Sequence, residues 1–225
     1  MKKVAVTCFW LSVCLTAVWS WADPAPSTPA SAADLLKQIQ STYASGSFSA
    51  RFEQVSTLKA MDITDTAAGK AFFKDPGMMR WEYITPDPQQ IITDGKKLWI
   101  YKPLENQVMT GDTPALFDDG QGVNFLAALN TISEKNQVTI DSNRTNEGFY
   151  ALKLVPNKKT GDLAAIYFYV SRQSGLVEEI ETMNTYEDTT RIIFSDIRLG
   201  EPLGNALFIF EPPANADVLL LDPKN

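Results

Sequence analysis

The sequence predicts a mainly β protein: one sheet of about eleven antiparallel strands with two helical insertions. Three observations lead there. From Phe48 onward, apolar and polar residues alternate with a period of two, as in strands with one covered face. Turn-forming runs such as Asp75-Pro76-Gly77 and Asp94-Gly95 separate the alternating stretches at short intervals. The helical period is confined to a stretch near the start of the domain and to another near residue 120.

The elements follow in chain order. Residues 1–22 read as a cleaved secretory signal: Lys2 and Lys3, an apolar run from Val4 to Val18, then Ser20 and Ala22 as the small residues before the cut. The run is shorter than the roughly 18 apolar residues a membrane span needs. Leu11-Ser-Val-Cys14 imitates a lipoprotein signal, but Val13 is too large for the position before a modified cysteine. Residues 23–33 are rich in Pro, Ala and Ser and read as an extended leader. Residues 34–225 read as a single domain. Leu35, Leu36, Ile39 and Tyr43 recur at helical spacing until Gly46 stops the helix.

Phe48, Ala50 and Phe52 then alternate with Ser49, Arg51 and Glu53, and Met79, Trp81 and Tyr83 with Arg80 and Glu82. Further strands are expected at 68–74, 89–93, 97–101, 106–110, 137–141, 148–155, 164–170, 176–183, 189–199 and 206–210. Residues 114–130 read as a short helix, a Gly-containing turn and a second helical piece, carrying Leu116, Phe125, Leu126 and Leu129. Ala165-Ile-Tyr-Phe-Tyr-Val170 and Leu98-Trp-Ile-Tyr101 are apolar on both faces. Strong curvature under covering helices accounts for this, and so does a two-sheet sandwich; periodicity does not choose between them.

Composition removes whole classes of function. The 225 residues contain no histidine, which excludes Ser-His-Asp triads, Cys-His pairs and HExxH zinc sites. Both cysteines, Cys8 and Cys14, leave with the signal, so thiolate and disulfide chemistry go too. Without Lys2 and Lys3 the mature chain has 18 basic residues against its 27 acidic ones, a net charge of −9. That balance argues against nucleic acid and against standing attachment to an anionic membrane.

Several fragments imitate catalytic motifs. Ser56-Thr-Leu-Lys59 fits S-x-x-K and Lys159-Thr-Gly161 fits K-T-G. The former needs a helix start to bring its lysine beside the serine, whereas Ser56 lies in a strand pattern. The carboxylate pairs Glu178-Glu179 and Asp118-Asp119 suggest glycosidase chemistry, but neighbouring strand residues face opposite ways. No nucleotide-binding glycine motif occurs. No catalytic residue, metal or cofactor is expected, and the chain reads as a binding protein rather than an enzyme.

Phe48-Ser-Ala-Arg-Phe-Glu-Gln54, Gly69-Lys-Ala-Phe-Phe-Lys-Asp-Pro-Gly-Met-Met-Arg-Trp-Glu-Tyr83, Asp94-Gly-Lys-Lys-Leu-Trp-Ile-Tyr101 and Phe208-Ile-Phe-Glu-Pro-Pro213 form an ordered set of blocks. In these the chain resembles the periplasmic outer-membrane lipoprotein carrier family, LolA. The resemblance implies an unclosed, half-barrel sheet of eleven antiparallel strands with helices as a lid over a concave apolar face that binds acyl chains. It implies a monomer in the periplasm that takes acylated lipoproteins from an inner-membrane ABC-type extractor and hands them to an outer-membrane receptor. A carrier or sensor of another lipid on the same fold is the alternative. By alignment and apolarity, Ile39, Met79, Trp81, Leu116, Phe125, Leu126 and Leu129 are the expected cavity lining, with plain core packing as the rival role. The family's lid latch is an arginine before the proline of the second block. Here Asp75 stands in its place, which leaves Asp75 and Arg80 as latch candidates, Arg80 facing away from Met79 and Trp81.

Overall fold

The computed structural model describes residues 31–112, 129, 131–158 and 161–221. A helix, α1 (Ala32–Thr42), precedes six strands: β1 (Ser47–Leu58), β2 (Ile63–Lys74), β3 (Met78–Thr85), β4 (Gln89–Asp94), β5 (Lys97–Lys102) and β6 (Gln107–Asp112). One helical turn, α2 (Ile132–Lys135), leads into β7 (Asn136–Ile140), β8 (Phe149–Pro156), β9 (Leu163–Ser171), β10 (Val177–Asn184) and β11 (Thr189–Leu199). A short β12 (Asp217–Leu220) ends the described chain. All twelve strands form one unclosed sheet in the order β12-β6-β5-β4-β3-β2-β1-β11-β10-β9-β8-β7.

The sheet is strongly curved. Trp81 on β3 and Phe194 on β11 are three strands apart, which is about 14 Å in a flat sheet at the usual spacing. Their ring centroids nevertheless lie 6.1 Å from each other. A single cluster of buried side chains draws on β1, β2 and β3, on β8 to β11, and on α1. This is a half-barrel around one core, and the sandwich alternative does not apply.

α1 forms where its period requires. Ser31 is the N-cap, its hydroxyl accepting from the Asp34 amide at 3.2 Å. Leu35, Leu36 and Ile39 are buried against the concave face. The chain then turns through Gly46 at φ +70°, a left-handed conformation that favours glycine.

Two strand expectations need correction. The run 206–210 pairs with no strand. It contains a 3-10 turn, Asn205–Phe208, seated on the convex face of β3 and β4. Phe208 is fully buried there, and Phe210 packs on Trp99 and Tyr101 with ring centroids 6.5 and 5.3 Å away. Lys74 Nζ donates to the Leu203 carbonyl at 2.6 Å and Arg80 Nη1 to the Leu207 carbonyl at 3.2 Å. Pro202, Pro212 and Pro213 bracket the run, and proline cannot donate to a ladder. The sheet is also not wholly antiparallel, because β12 pairs with β6 in parallel.

These contacts explain why two strands are apolar on both faces. The outer side of β5 is covered by Phe210. The outer side of β9 is covered by cations: the Arg144 guanidinium lies 4.1 Å from the Tyr167 ring centroid and donates to Tyr169 Oη at 2.8 Å and Glu181 Oε1 at 2.6 Å. The expected helices at 114–128 lie outside the described residues, as do the signal and nearly all of the leader.

Candidate functional site

The candidate site is the concave face itself. On β1, Phe48 and Phe52 point inward, each 1% exposed, and Phe73, Trp81 and Phe194 join them from β2, β3 and β11. The rings interlock: Phe48 stacks on Phe73 at 4.5 Å, and Trp81 meets Phe52 edge-on at 4.7 Å. α1 lies across this end of the trough. Its last turn is tied down by Tyr43, whose hydroxyl accepts from the Val177 amide at 3.2 Å and faces the Val177 carbonyl at 3.4 Å. Burial pushes the Tyr43 phenol up, so it stays neutral and keeps both contacts. Gln40 Nε2 donates to the Leu129 carbonyl at 2.9 Å, joining the helix to the segment after the undescribed stretch.

Further along the same strands the inward side chains change character. On β1, Phe48 and Phe52 give way to Gln54 and Ser56; on β11, Phe194 and Ile192 to Thr190; on β10, Ile180 to Thr182. The register sets Ser56 opposite Thr190 and Thr190 opposite Thr182, so the hydroxyls form one row across three strands. That row floors an open cleft of about 690 Å³, lined also by Tyr83, Ile91, Ile180 and Ile192. Tyr83 Oη donates to Gln54 Oε1 at 2.9 Å, Gln54 Nε2 donates to Ser56 Oγ at 3.2 Å, and the Ser56 and Thr190 hydroxyls are 3.5 Å apart. Burial pushes the Tyr83 phenol up to about 12. Gly69 makes room for the wall. A Cβ there would lie 1.9 Å from the Glu82 carbonyl oxygen and 2.8 Å from Phe52 Cε1.

Four of the expected lining residues, Ile39, Met79, Trp81 and Leu129, fall in one buried cluster. Leu116, Phe125 and Leu126 lie outside the described residues. The two latch candidates are not brought together. Asp75 is exposed in the β2–β3 turn, its amide donating to the Gly46 carbonyl at 2.7 Å just after α1. Desolvation raises its carboxyl above the ordinary value. Arg80 lies on the convex face, bound to Glu82 at 2.6 Å, Gln90 at 3.1 Å and Leu207.

The imitation motifs are also placed. Lys59 pairs with Glu187 rather than Ser56, and Lys159 lies outside the described residues. Glu179 is held by Arg191 through two contacts of 2.8 Å, and Glu178 faces the Ser174 hydroxyl at 3.1 Å. Among the described residues no group of three or more His, Cys, Asp or Glu could hold a metal. The hydroxyl row and the Tyr43 clasp were missed from sequence. Thr and Ser ending each alternating run were the only signal for the first, and none existed for the second.

A half-barrel with a helix across an apolar inner face and an open cleft at one end belongs to the folds that enclose apolar ligands. The family model described as outer membrane lipoprotein carrier protein LolA matches residues 44–211, and the chain belongs to that family. The outer-membrane lipoprotein carrier protein of Methylococcus capsulatus is 30% identical over 207 residues, covering 89% of this chain and 91% of its own. That of Nitrosomonas europaea is 31% identical over 180 residues, covering 76% and 82%. An uncharacterized conserved protein from Thermus thermophilus shares the fold, with a TM-score of 0.53 at 14% identity over 84% of this chain and 99% of its own.

Proposed function

We propose that this protein is a periplasmic carrier that holds the acyl chains of lipoproteins on its concave face and moves them from the inner to the outer membrane. The observation that carries the reading is the continuous run of inward aromatic and aliphatic side chains from α1 to the cleft. An acyl chain of about 16 carbons resists water by roughly 13 kcal/mol, at about 0.8 kcal/mol per CH₂. Crossing an aqueous gap therefore needs an apolar shield. Full burial of two or three chains would exceed the usual ceiling of affinity and forbid release. The trough solves this by filling itself. Phe48, Trp81, Ile39 and Met79 already pack against one another, so cargo must displace native contacts and its net affinity is lowered by their strength. Ile39, Met79, Trp81 and Leu129, with Leu116, Phe125 and Leu126, are assigned as the displaceable lining.

The chain has no nucleotide-binding motif, so the energy for loading comes from a partner: an inner-membrane ABC-type extractor on one side, with an outer-membrane receptor accepting the cargo on the other. The test adds purified protein to spheroplasts secreting an outer-membrane lipoprotein. Energy-dependent release of the lipoprotein into the supernatant, as a soluble one-to-one complex, is the expected result. Retention of the lipoprotein on the membrane in active spheroplasts would overturn the reading.

A further inference from the structure

We infer that the cleft at the open end of the trough selects the head of the cargo: it accepts the neutral ester and amide groups of an acylated lipoprotein and rejects lipids headed by phosphate. This rests on the carrier reading and adds a specificity to it. Lipoproteins and phospholipids carry the same acyl chains, so an apolar trough alone cannot tell them apart. Only contacts at the polar end can.

Continuity places that end in the cleft. Ile180 and Ile192 belong to the apolar cluster and also line the cleft, so chains lying in the trough bring their ester linkages to the hydroxyl row. Gln54, Ser56, Thr182 and Thr190, whose side chains share the inner face, supply neutral donors and acceptors there. Ester and amide carbonyls need such donors when removed from water.

Charge supplies the discrimination. Among the described residues lining the cleft there is no Lys or Arg; its acidic residues are Asp162 and Asp188. Asp188 is fixed in place, accepting from the Lys59 amide at 2.9 Å and from Asn184 Nδ2 at 3.0 Å. Lys59, next in sequence to Leu58 of the lining, is itself paired with Glu187. Phosphate sites are built from arginine, lysine or helix N-termini. Here a phosphate would instead meet two carboxylates at the edge of an apolar wall, where like charges repel more strongly than in bulk water.

The test uses two soluble ligands with identical chains: a neutral N-acetyl-S-(dioctanoyl-glyceryl)cysteinyl-glycine amide and dioctanoyl phosphatidylglycerol. Each competes with a fluorescent apolar probe, phenylnaphthylamine, bound to the purified protein. The lipopeptide is expected to displace the probe at a concentration at least ten-fold lower than phosphatidylglycerol. Asp162→Lys, at an exposed position whose side chain has no hydrogen bond among the described residues, should narrow that ratio about ten-fold by strengthening phosphatidylglycerol. Thr182→Val should weaken the lipopeptide about five-fold and leave the phosphatidylglycerol concentration unmoved. Equal displacement by the two ligands, or a ratio that neither substitution shifts, would overturn head selection while the carrier reading stands. Displacement by neither ligand would instead sink the carrier reading itself.

Discussion

The closed end of the trough and its open end are built on the same strands, yet they do opposite things. At the closed end Phe48, Phe73, Trp81, Phe194, Leu35 and Ile39 exclude water. At the open end Gln54, Ser56, Thr182 and Thr190 hold a cleft ajar. The change takes one or two residue pairs along each of β1, β10 and β11, with the ladder hydrogen bonds continuing unbroken across it between Phe52–Phe194 and Ser56–Thr190. Backbone architecture is therefore shared, and side-chain chemistry alone divides a region that stabilises the fold from a region free to take a ligand.

The largest expected effect tests that division. Phe48→Ala at the closed end should destabilise by about 3–5 kcal/mol, the usual cost of an aromatic-sized cavity in a packed core. Thr182→Val at the open end should stay within about 0.5 kcal/mol. Urea unfolding reads both as midpoint shifts at constant slope. Comparable losses at the two ends would mean that the cleft is structural after all.

Alkaline pH should act on both ends through their tyrosines. Tyr83 is held neutral by burial, its phenol raised from 10.0 to about 12. The unfolded chain ionises first, so it binds fewer protons than the folded chain between those values. The stabilisation is complete below pH 10 and is lost as pH rises through 12, by at most about 2–3 kcal/mol. Tyr83→Phe should flatten that decline in unfolding curves recorded at pH 9 and 11.5. An unchanged slope in the variant would show that the ring is wetter than the geometry implies.

A smaller loss should sharpen the picture of how the closed end is held. Tyr43→Phe keeps the ring on Phe48 but removes the hydroxyl from the Val177 amide and carbonyl. About 1–2 kcal/mol is expected. Hydrogen exchange should quicken in α1 before the sheet responds. If α1 protection does not change, the helix is kept in place by Leu35, Leu36, Ile39 and the Gln40 bond to Leu129 without help from the Tyr43 hydroxyl.

Much of this molecule is legible in its residues. The alternation at Phe48–Phe52 and Met79–Tyr83 fixes which side chains face the core, and the family blocks supply the half-barrel. The failures have physical causes. The run Ala206-Leu-Phe-Ile-Phe210 has strand composition because it is buried, but it is buried by lying on a sheet, not by pairing in one. β12 escapes notice because all four residues, Asp217–Leu220, are exposed and show no alternation of covered and wet positions. The hydroxyl row looks like any wet strand end until the register aligns three strands. Curvature is a property of the whole sheet, and no local pattern encodes it.

The smallest expected effect concerns Asp75, whose carboxylate oxygen is 3.4 Å from where a Cβ on Gly46 would lie. Gly46 closes the turn after α1, its amide donating to the Tyr43 carbonyl at 3.1 Å. The carboxylate thus sits near a helix C-terminus, whose partial charge is negative, and it is partly desolvated as well. Both effects oppose ionisation. Asp75→Asn should therefore stabilise the protein by about 0.3–1 kcal/mol at pH 7 and low salt. Because the folded carboxyl is raised above its unfolded value, the advantage of Asn should fade as pH falls below the ordinary carboxylate range, where Asp75 is neutral in both states. Asp75→Arg should gain at least as much, and by favouring the seated helix it should weaken uptake of an apolar probe. A loss of stability in Asp75→Asn would reverse the conclusion, because the carboxylate would then be making a favourable contact and would itself be the latch.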